Sequence, residues 1–449
     1  MKIIIIDDDP TGSQTVHDCL LLLKWDYQTL YKGLNSESDL LFILANTRSL
    51  SEEHATKRLE DICLTLKDVL NDLEIFKDDY LVISRGDSTL RGHNFLEPQV
   101  INNILGPFDA TFYIPAFIEG NRITIDGKHF VDNVPAHETI YAKDEIFGFQ
   151  TNDINKLIHD KSLQKIRLNQ IKNIFLKDIE LLELESKNKV FNMIWMLKEN
   201  SQVVVDVRNY FDLNKFCAVI QKLIKQKRFI FRTAASFITS ISNLEENDKT
   251  HNYYSKLRRR NNNNKFFKGF IIIGSFVDIS TLQLKKTLAI KLCKGIELDV
   301  INFYKLFKSK DNYNQFNSLK KTIIMSVRKI LKFGLIPVLF TSRKRVTCES
   351  KNELIIFQNQ LSLFIAEIVA EIKGEIGYLI SKGGITSNNI LSHGFNVDSV
   401  YLEGQIFPGI SLVTIANKNK HDKLPFVTFP GNIGDENSLV QVIEVLENK

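Results

Sequence analysis

Short runs of consecutive apolar residues alternate along this chain with longer amphipathic stretches. The runs at 2–6, 40–45, 80–84, 110–114, 203–207 and 229–231 are too brief for helices. They are apolar at successive rather than alternate positions, which predicts strands buried on both faces. Between them the apolar spacing becomes helical, at 16–23, 51–73, 97–104 and 213–226. The pattern lapses at 242–268, a stretch rich in Asn, Lys and Arg with almost no periodic apolar positions. It resumes with strands expected at 270–274, 335–340 and 376–381. Helices are expected at 280–292, 319–333 and 357–372, with another beginning near 388. Strand–helix alternation on this scale predicts an α/β fold of two domains, each a largely parallel sheet flanked by helices, with a ligand cleft between them. The expected domains are 1–241 and 269–449, joined by 242–268 as a polar linker or exposed loop. No internal repeat is evident.

Length supports that division, since 449 residues suit two or three domains. An apolar share of 44% is that of an ordinary folded chain. The 58 Lys and Arg exceed the 53 Asp and Glu by a net charge of only +5. This mildly favours anionic ligands and lacks the dense basic footprint of a nucleic-acid protein. The consecutive Arg258, Arg259 and Arg260 have no aromatic platform beside them and read as solvated. Five cysteines, Cys19, Cys63, Cys217, Cys293 and Cys348, are scattered without a CxxC or a Cys/His cluster. That argues against a disulfide framework or zinc site and fits a reducing cytoplasm. No apolar run is expected to span a bilayer, and the apolar run at 3–6 is too short for a signal segment.

That first strand runs straight into Asp7-Asp8-Asp9-Pro10-Thr11-Gly12. Acids at the carboxyl end of a strand in an open α/β sheet lie where such folds bind ligands. Three adjacent aspartates repel one another, so a substrate hydroxyl, Mg²⁺ or basic side chains are expected to meet them. The bland alternative is a loop whose acids cap the next helix. Read as Asp7-x-Asp9-x-Thr11, the turn also matches the nucleophile loop of haloacid-dehalogenase-type phosphatases, with 329–343 superficially like a second motif of that family. No later acidic pair completes that metal site.

A wider set of motifs fits another family better. Asp8 to Gly12 with Gln14 to Asp18, the turn Asn46-Thr47-Arg48-Ser49, and the segment Ser84-Arg85-Gly86-Asp87-Ser88-Thr89-Leu90-Arg91-Gly92 together resemble four-carbon acid sugar kinases. So do Pro115-Ala116-Phe117, Asn121-Arg122, Gly127, Tyr141 to Asp144, and Phe147 to Phe149. In the second half, Gly274-Ser275 with Ser280 and Gln283, Ser381-Lys382-Gly383-Gly384-Ile385-Thr386-Ser387, and Phe429-Pro430-Gly431-Asn432-Ile433-Gly434 resemble the nucleotide motifs of that family. Arg85, Val277, Ile385 and Phe429 depart from its commoner residues. Glycine turns that follow strands and lead into helices let backbone N–H groups approach a phosphate.

The resemblance implies an ATP-dependent kinase that phosphorylates a hydroxyl of a small sugar acid, with Mg²⁺ on the phosphates. It implies Asp8 or Asp9 as the base, and Thr11, Arg48, Arg85, Asp87, Ser88, Thr89 and Arg91 as the sugar-acid site. It assigns Ser275, Gly383, Gly384, Ile385, Thr386, Ser387 and Gly431 to the nucleotide. Metal ligands are not assigned. A phosphatase, or a sugar-acid-binding protein without phosphotransfer, remains the alternative. The expected partner is a small sugar acid, with no nucleic acid and no membrane; the identity of the acid and any homo-oligomer are left open.

Overall fold

Two units divide the chain, Met1–Glu246 and Asn247–Lys449. The computed structural model describes residues 1–9, 16–181, 189–242, 244, 247–309, 313–344, 346–416 and 423–448. The strands of the first unit are β1 (Lys2–Asp7), β2 (Cys19–Leu22), β3 (Leu40–Leu44), β4 (Tyr80–Arg85), β5 (Ala110–Ile114), β6 (Arg122–Ile125), β7 (Lys128–Val131), β8 (Val134–Pro135), β9 (Lys172–Ile174), β10 (Ser201–Val205) and β11 (Phe229–Thr233). Those of the second are β12 (Phe270–Ile273), β13 (Cys293–Leu298), β14 (Ile336–Thr341), β15 (Leu379–Lys382), β16 (Ser399–Phe407), β17 (Ile410–Ala416) and β18 (Lys423–Phe429).

In the first unit the order is β2-β3-β1-β4-β11-β5-β10-β9, and the strands are parallel throughout. Ile3 to Asp7 are buried and apolar up to the strand's last residue, which is why β1 sits centrally. The chain pairs β1 first with β3 and then with β4 on its other side. Strand order therefore reverses at β1, and the crevice at its carboxyl end is where an open sheet of this kind takes ligands. The helix Glu52–Asp72 covers one face. Ser51 caps it by accepting the His54 N–H, Glu52 and Glu53 suit its first turn, and Ala55, Leu59, Ile62, Leu66 and Val69 form its buried stripe. Strands β6, β7 and β8 form a separate antiparallel meander.

The second unit orders its strands β13-β14-β12-β15-β18-β17-β16. The first five are parallel, and β17 is antiparallel to both neighbours. Here β12 lies between β14 and β15, so the reversal of order falls at the carboxyl ends of β12 and β15.

Several elements differ from expectation. The stretch 16–23, expected as a helix, contains strand β2, four residues paired with β3 and mostly buried. A second layer of partners overrides a helical spacing that short. The segment 242–268 is no plain exposed linker. Thr250 caps the helix His251–Lys256, Tyr254 is fully buried, and Arg258 pairs with Glu447 at 3.1 Å. Arg258 and Arg260 also stack on Phe266; Arg258 is buried, whereas Arg259 is half-buried and Arg260 exposed, so only the first of the three departs fully from the solvated reading. Strand β13 and the β16–β18 meander were not anticipated. The helix expected near 388 begins at Gly384. Contrary to expectation, one helix, Asn352–Ile372, is long and apolar enough to cross a membrane by length and composition. Its Phe357, Phe364, Ile365, Ile368, Val369 and Ile372 are buried within the unit.

Candidate active site

Acids and arginines from five segments converge at the carboxyl edge of the first sheet. Asp7 ends β1, and Asp8 and Asp9 follow it. Asp8 is fully buried. Arg48, in the turn after β3, donates to Asp8 from Nη2 at 2.6 Å and from Nε at 3.4 Å. Its Nη1 lies 3.4 Å from Asp9 and 3.9 Å from Asp87. Arg85, the last residue of β4, lies 3.6 Å from Asp7 and 3.7 Å from Asp8. Arg232 in β11 lies 3.6 Å from Asp8. The Asp8 carboxylate is thus enclosed by three guanidinium groups, while the Asp9 side chain keeps 16% of its surface open.

The electrostatics follow from burial and pairing. Burial pushes the Asp7 carboxyl up to about 7, although Arg85 opposes the shift. Burial acts on Asp87 in the same direction, but Arg91, Arg48 and a hydrogen bond from Thr89 outweigh it and hold its carboxyl far below the usual carboxylate range. For Arg48, burial disfavours the cation, but Asp8, Asp9 and Asp87 more than offset it and raise its pKa. Mutual pairing rather than solvent therefore keeps Arg48 and Asp87 charged, while burial drives Asp7 toward its protonated form.

Arg91 extends the cluster outward. Its Nε donates to Asp87 at 2.7 Å, its Nη1 lies 3.6 Å from Asp144, and its guanidinium rests 5.2 Å from the Tyr141 ring centroid. Thr89 is buried and donates to Asp87, so it orients that carboxylate. Ser88 is half-buried, and its carbonyl accepts from buried His129 at 2.7 Å. Thr11, with the rest of 10–15, lies outside the described residues. Among the described residues no group of three His, Cys, Asp or Glu is arranged to hold a metal ion. Of the three expected answers to the aspartate repulsion, this chain itself supplies the basic side chains.

Two members of the cluster escaped the sequence reading. Arg232 donates to Glu97 at 2.5 Å, to Ser84 at 2.9 Å and to Asn94 at 3.1 Å. Glu97 also accepts from Thr47 at 2.7 Å, tying the β3 turn to the helix Leu96–Leu105. A Cβ on Gly86 would overlap the Arg232 guanidinium, which explains a glycine there. The available signal was a charge inside the apolar run Phe229-Ile230-Phe231-Arg232-Thr233, since a buried charge demands a partner.

The second unit brings three glycine turns together. Gly274-Ser275 leaves β12, Lys382-Gly383 leaves β15, and Pro430-Gly431 leaves β18. The Gly274 and Ser275 N–H groups both donate to Lys382 O, and the Gly383 N–H donates to Phe429 O. Gly383 has φ +127°, a conformation that L side chains rarely adopt. A Cβ on Gly431 would come within 2.5 Å of Ser275 Oγ, and one on Gly274 would run into Thr386 Oγ1. Ser280 donates to Ser275 Oγ at 3.0 Å and lies 2.8 Å from Gly431 O, and buried Gln283 donates to Ile433 O and Asp435 O. The result is a tight backbone floor with Ser275, Gly383, Gly384, Ile385 and Gly431 partly open above it. Thr386 is buried beside Gly274. Ser387 is fully buried and bonds inward to Ser381 and Gly383. Arg343, beyond β14, was missed as a member of this site: its Nη1 donates to Ser275 O at 2.6 Å. The segment 329–343, weighed as a phosphatase motif, belongs to this unit and Asp7 to the other.

Comparison with known proteins agrees with this division. A family profile described as a sugar-binding N-terminal domain matches residues 3–241, and one described as a nucleotide-binding C-terminal domain matches 270–439. The D-erythronate kinase of Heliobacterium modesticaldum (strain ATCC 51547 / Ice1) is 27% identical over 153 residues, 32% of this chain. The match likewise spans only 32% of that relative's length. Among solved structures, a protein of Salmonella typhimurium LT2 matches with a TM-score of 0.68 at 15% identity, over 100% of this chain and 99% of that one. Haemophilus influenzae protein HI1011 matches with a TM-score of 0.61 at 16% identity, over 98% and 99%. At those identities the likeness is one of fold.

Proposed function

Because this chain belongs to the four-carbon acid sugar kinase family, we propose that it transfers the terminal phosphoryl group of ATP to a hydroxyl of a four-carbon sugar acid. The observation that carries the reading is the pairing of two unlike sites in one chain. One is an arginine–carboxylate cluster at the switch point of the first sheet, and the other a three-glycine floor at the switch point of the second. An enzyme that only hydrolyses phosphoesters has no need of both.

In this reading Asp9 accepts the proton of the attacked hydroxyl. It is the more open of the two candidate acids, whereas Asp8 is committed to organising Arg48, Arg85 and Arg232. Arg48 and Arg91, both partly exposed, take the substrate carboxylate through their planar forks. Asp87 and Thr89 hold those two arginines in place, and Ser88 faces the polyol. As the hydroxyl oxygen bonds to the γ-phosphorus, the bond from phosphorus to the ADP oxygen breaks and the proton passes to Asp9. The glycine floor suits a nucleotide in that Gly274 and Gly431 let the turns pack closely, where a Cβ would meet Thr386 Oγ1 or Ser275 Oγ, and leave backbone N–H groups near a common surface. Ser275, Gly383, Gly384 and Gly431 would hold the phosphates there. Mg²⁺ belongs to this reading as the phosphates' own counter-ion, which neutralises their charge; no protein ligand is assigned to it. Five scattered cysteines, four of them buried, suit a reducing cytoplasm.

The test is an ADP-release screen of purified protein against threonate, erythronate and 3-oxo-tetronate. ATP-dependent turnover of one of them is expected. Tight binding of a sugar acid without ADP release would instead favour a non-catalytic binding protein. Phosphoester hydrolysis without ATP would revive the phosphatase.

A further inference from the structure

Lys382 is fully buried, directly beneath the glycine floor. Its Nζ donates to Pro430 O at 2.8 Å and sits 3.8 Å from the Phe429 ring centroid. Among the described residues no carboxylate pairs with it. Charged groups on the adjoining elements include Arg343 after β14, Asp278 and the exposed Lys285 and Lys286 of the helix Asp278–Ala289, the exposed Lys423 at the start of β18, and Asp435 beyond the β18 turn. Arg343 is engaged with Ser275 O and Thr341. Asp278 is exposed, and Asp435 is held by Ser438 and the Asn437 N–H. A lone amine on a long stem is thus enclosed by a ring, a carbonyl and backbone.

Such a site disfavours the ammonium form until a counter-charge arrives. The turn that Lys382 holds is the one whose Gly431 backs onto Ser275, so phosphates seated there would introduce negative charge across a few ångströms of poorly solvated backbone. We infer that Lys382 is a proton-coupled positioning residue of the nucleotide site: binding of a nucleoside polyphosphate at the Gly274, Gly383 and Gly431 turns draws a proton from solvent onto its amine. The hydrogen bond to Pro430 O survives in both states, because the neutral amine and the ammonium both donate. Burial alone lowers this amine to about 6, so it is mostly neutral in the nucleotide-free protein at neutral pH. The sign follows. Binding that takes up a proton weakens as pH rises above that value, until the pKa of the bound state is reached.

This inference rests on the reading of the second unit as the nucleotide site, and the test separates the two. MgADP is titrated calorimetrically into the full-length protein at about pH 8, where phosphate is fully ionised, in two buffers of different ionisation enthalpy. Uptake approaching about one proton per nucleotide is expected for the wild type, and almost none for Lys382→Met or Lys382→Arg. Wild-type binding without proton uptake overturns the inference and leaves the nucleotide site standing. No MgADP binding at all overturns both. Undiminished uptake in the variants removes Lys382 from the role. In parallel, the Lys382 Cε resonance of isotopically labelled wild-type protein should shift from the neutral to the charged position when MgADP is added. A resonance that stays neutral on saturation sinks the proposal without recourse to a variant.

Discussion

Asp8 and Asp9 are neighbours in sequence with opposite surroundings, and that contrast decides what each can do. Asp9→Asn is expected to abolish phosphotransfer with a small change in thermal stability, because the residue is partly open and its contact with Arg48, at 3.4 Å, is longer than the 2.6 Å bond that Arg48 makes to Asp8. Retention of wild-type kcat would remove it from proton transfer. Asp8→Asn should instead lower stability and raise KM for the acid, since it strips the shared partner from three arginines. Arg48→Ala should raise KM for the sugar acid by roughly ten- to a hundred-fold, the equivalent of about 1.5–3 kcal/mol for a lost charged bond. KM for ATP should stay put. Asp7 offers a pH test. Its folded-state carboxyl titrates near 7 against 3.8 ordinarily, so the native state favours the protonated form. Its contribution to stability is complete below the ordinary value and is lost as pH rises through 7. Asp7→Asn should accordingly raise Tm at about pH 8 and leave it unchanged at about pH 3. An equal gain at both would point to packing rather than charge. At this scale the resemblance to the family's motifs singled out Arg48, Asp87 and Arg91, and the structure brings these three together. Glu97 was not singled out, and Arg232 was marked only as a charge inside an apolar run, with nothing to name a partner that lies 135 positions away.

Elements meet at these residues, and the Arg232–Glu97 pair shows how. It joins β11 to the helix Leu96–Leu105, with Ser84 of β4 and Thr47 of the β3 turn hydrogen-bonded to the same carboxylate. Removing one partner strands a buried charge. Arg232→Leu is expected to cost about 3–5 kcal/mol in urea unfolding, well beyond what a surface pair is worth. A loss under about 1 kcal/mol would mean that water reaches Glu97. In the second unit the close approach of backbone turns is the structural requirement. Gly431→Ala places a Cβ within 2.5 Å of Ser275 Oγ. It should weaken MgADP binding by at least about ten-fold while leaving the far-UV circular dichroism intact. Unaltered affinity would move the phosphates off this floor. Gly383 and Gly384 looked alike in sequence. The structure distinguishes them, since Gly383 alone has the positive φ and Gly384 opens the helix.

The whole molecule is expected to show two separable ligand sites. In calorimetry on the full chain, Arg48→Ala should lose sugar-acid binding and keep MgADP, and Gly431→Ala should do the reverse. Loss of both ligands in either variant would contradict the division of labour between Met1–Glu246 and Asn247–Lys449. At this scale composition misled in one respect. The stretch 242–268 is polar enough to resemble a linker, yet it contributes Tyr254 and Arg258 to the packing of the second unit. An arginine that stacks on Phe266 and Tyr378 and pairs with Glu447 buries its stem as an apolar residue would.

Sequence by itself determined the class of fold and which residue types gather at the ligand-binding edges of the two sheets. Runs of consecutive apolar residues can be accommodated only in strands covered on both faces, and acids or glycines placed at the ends of such runs must fall along the ligand-binding edge of a sheet. Those are local properties, readable from a few adjacent positions. Tertiary structure decided which of the acids is enclosed and which is open. It also decided that Ser387 and Lys382 turn inward, that 16–23 is partly strand and that Arg232 and Arg343 join the sites. Each of these depends on a partner distant in the chain, and a side chain's charge, exposure and conformation are set by what packs against it.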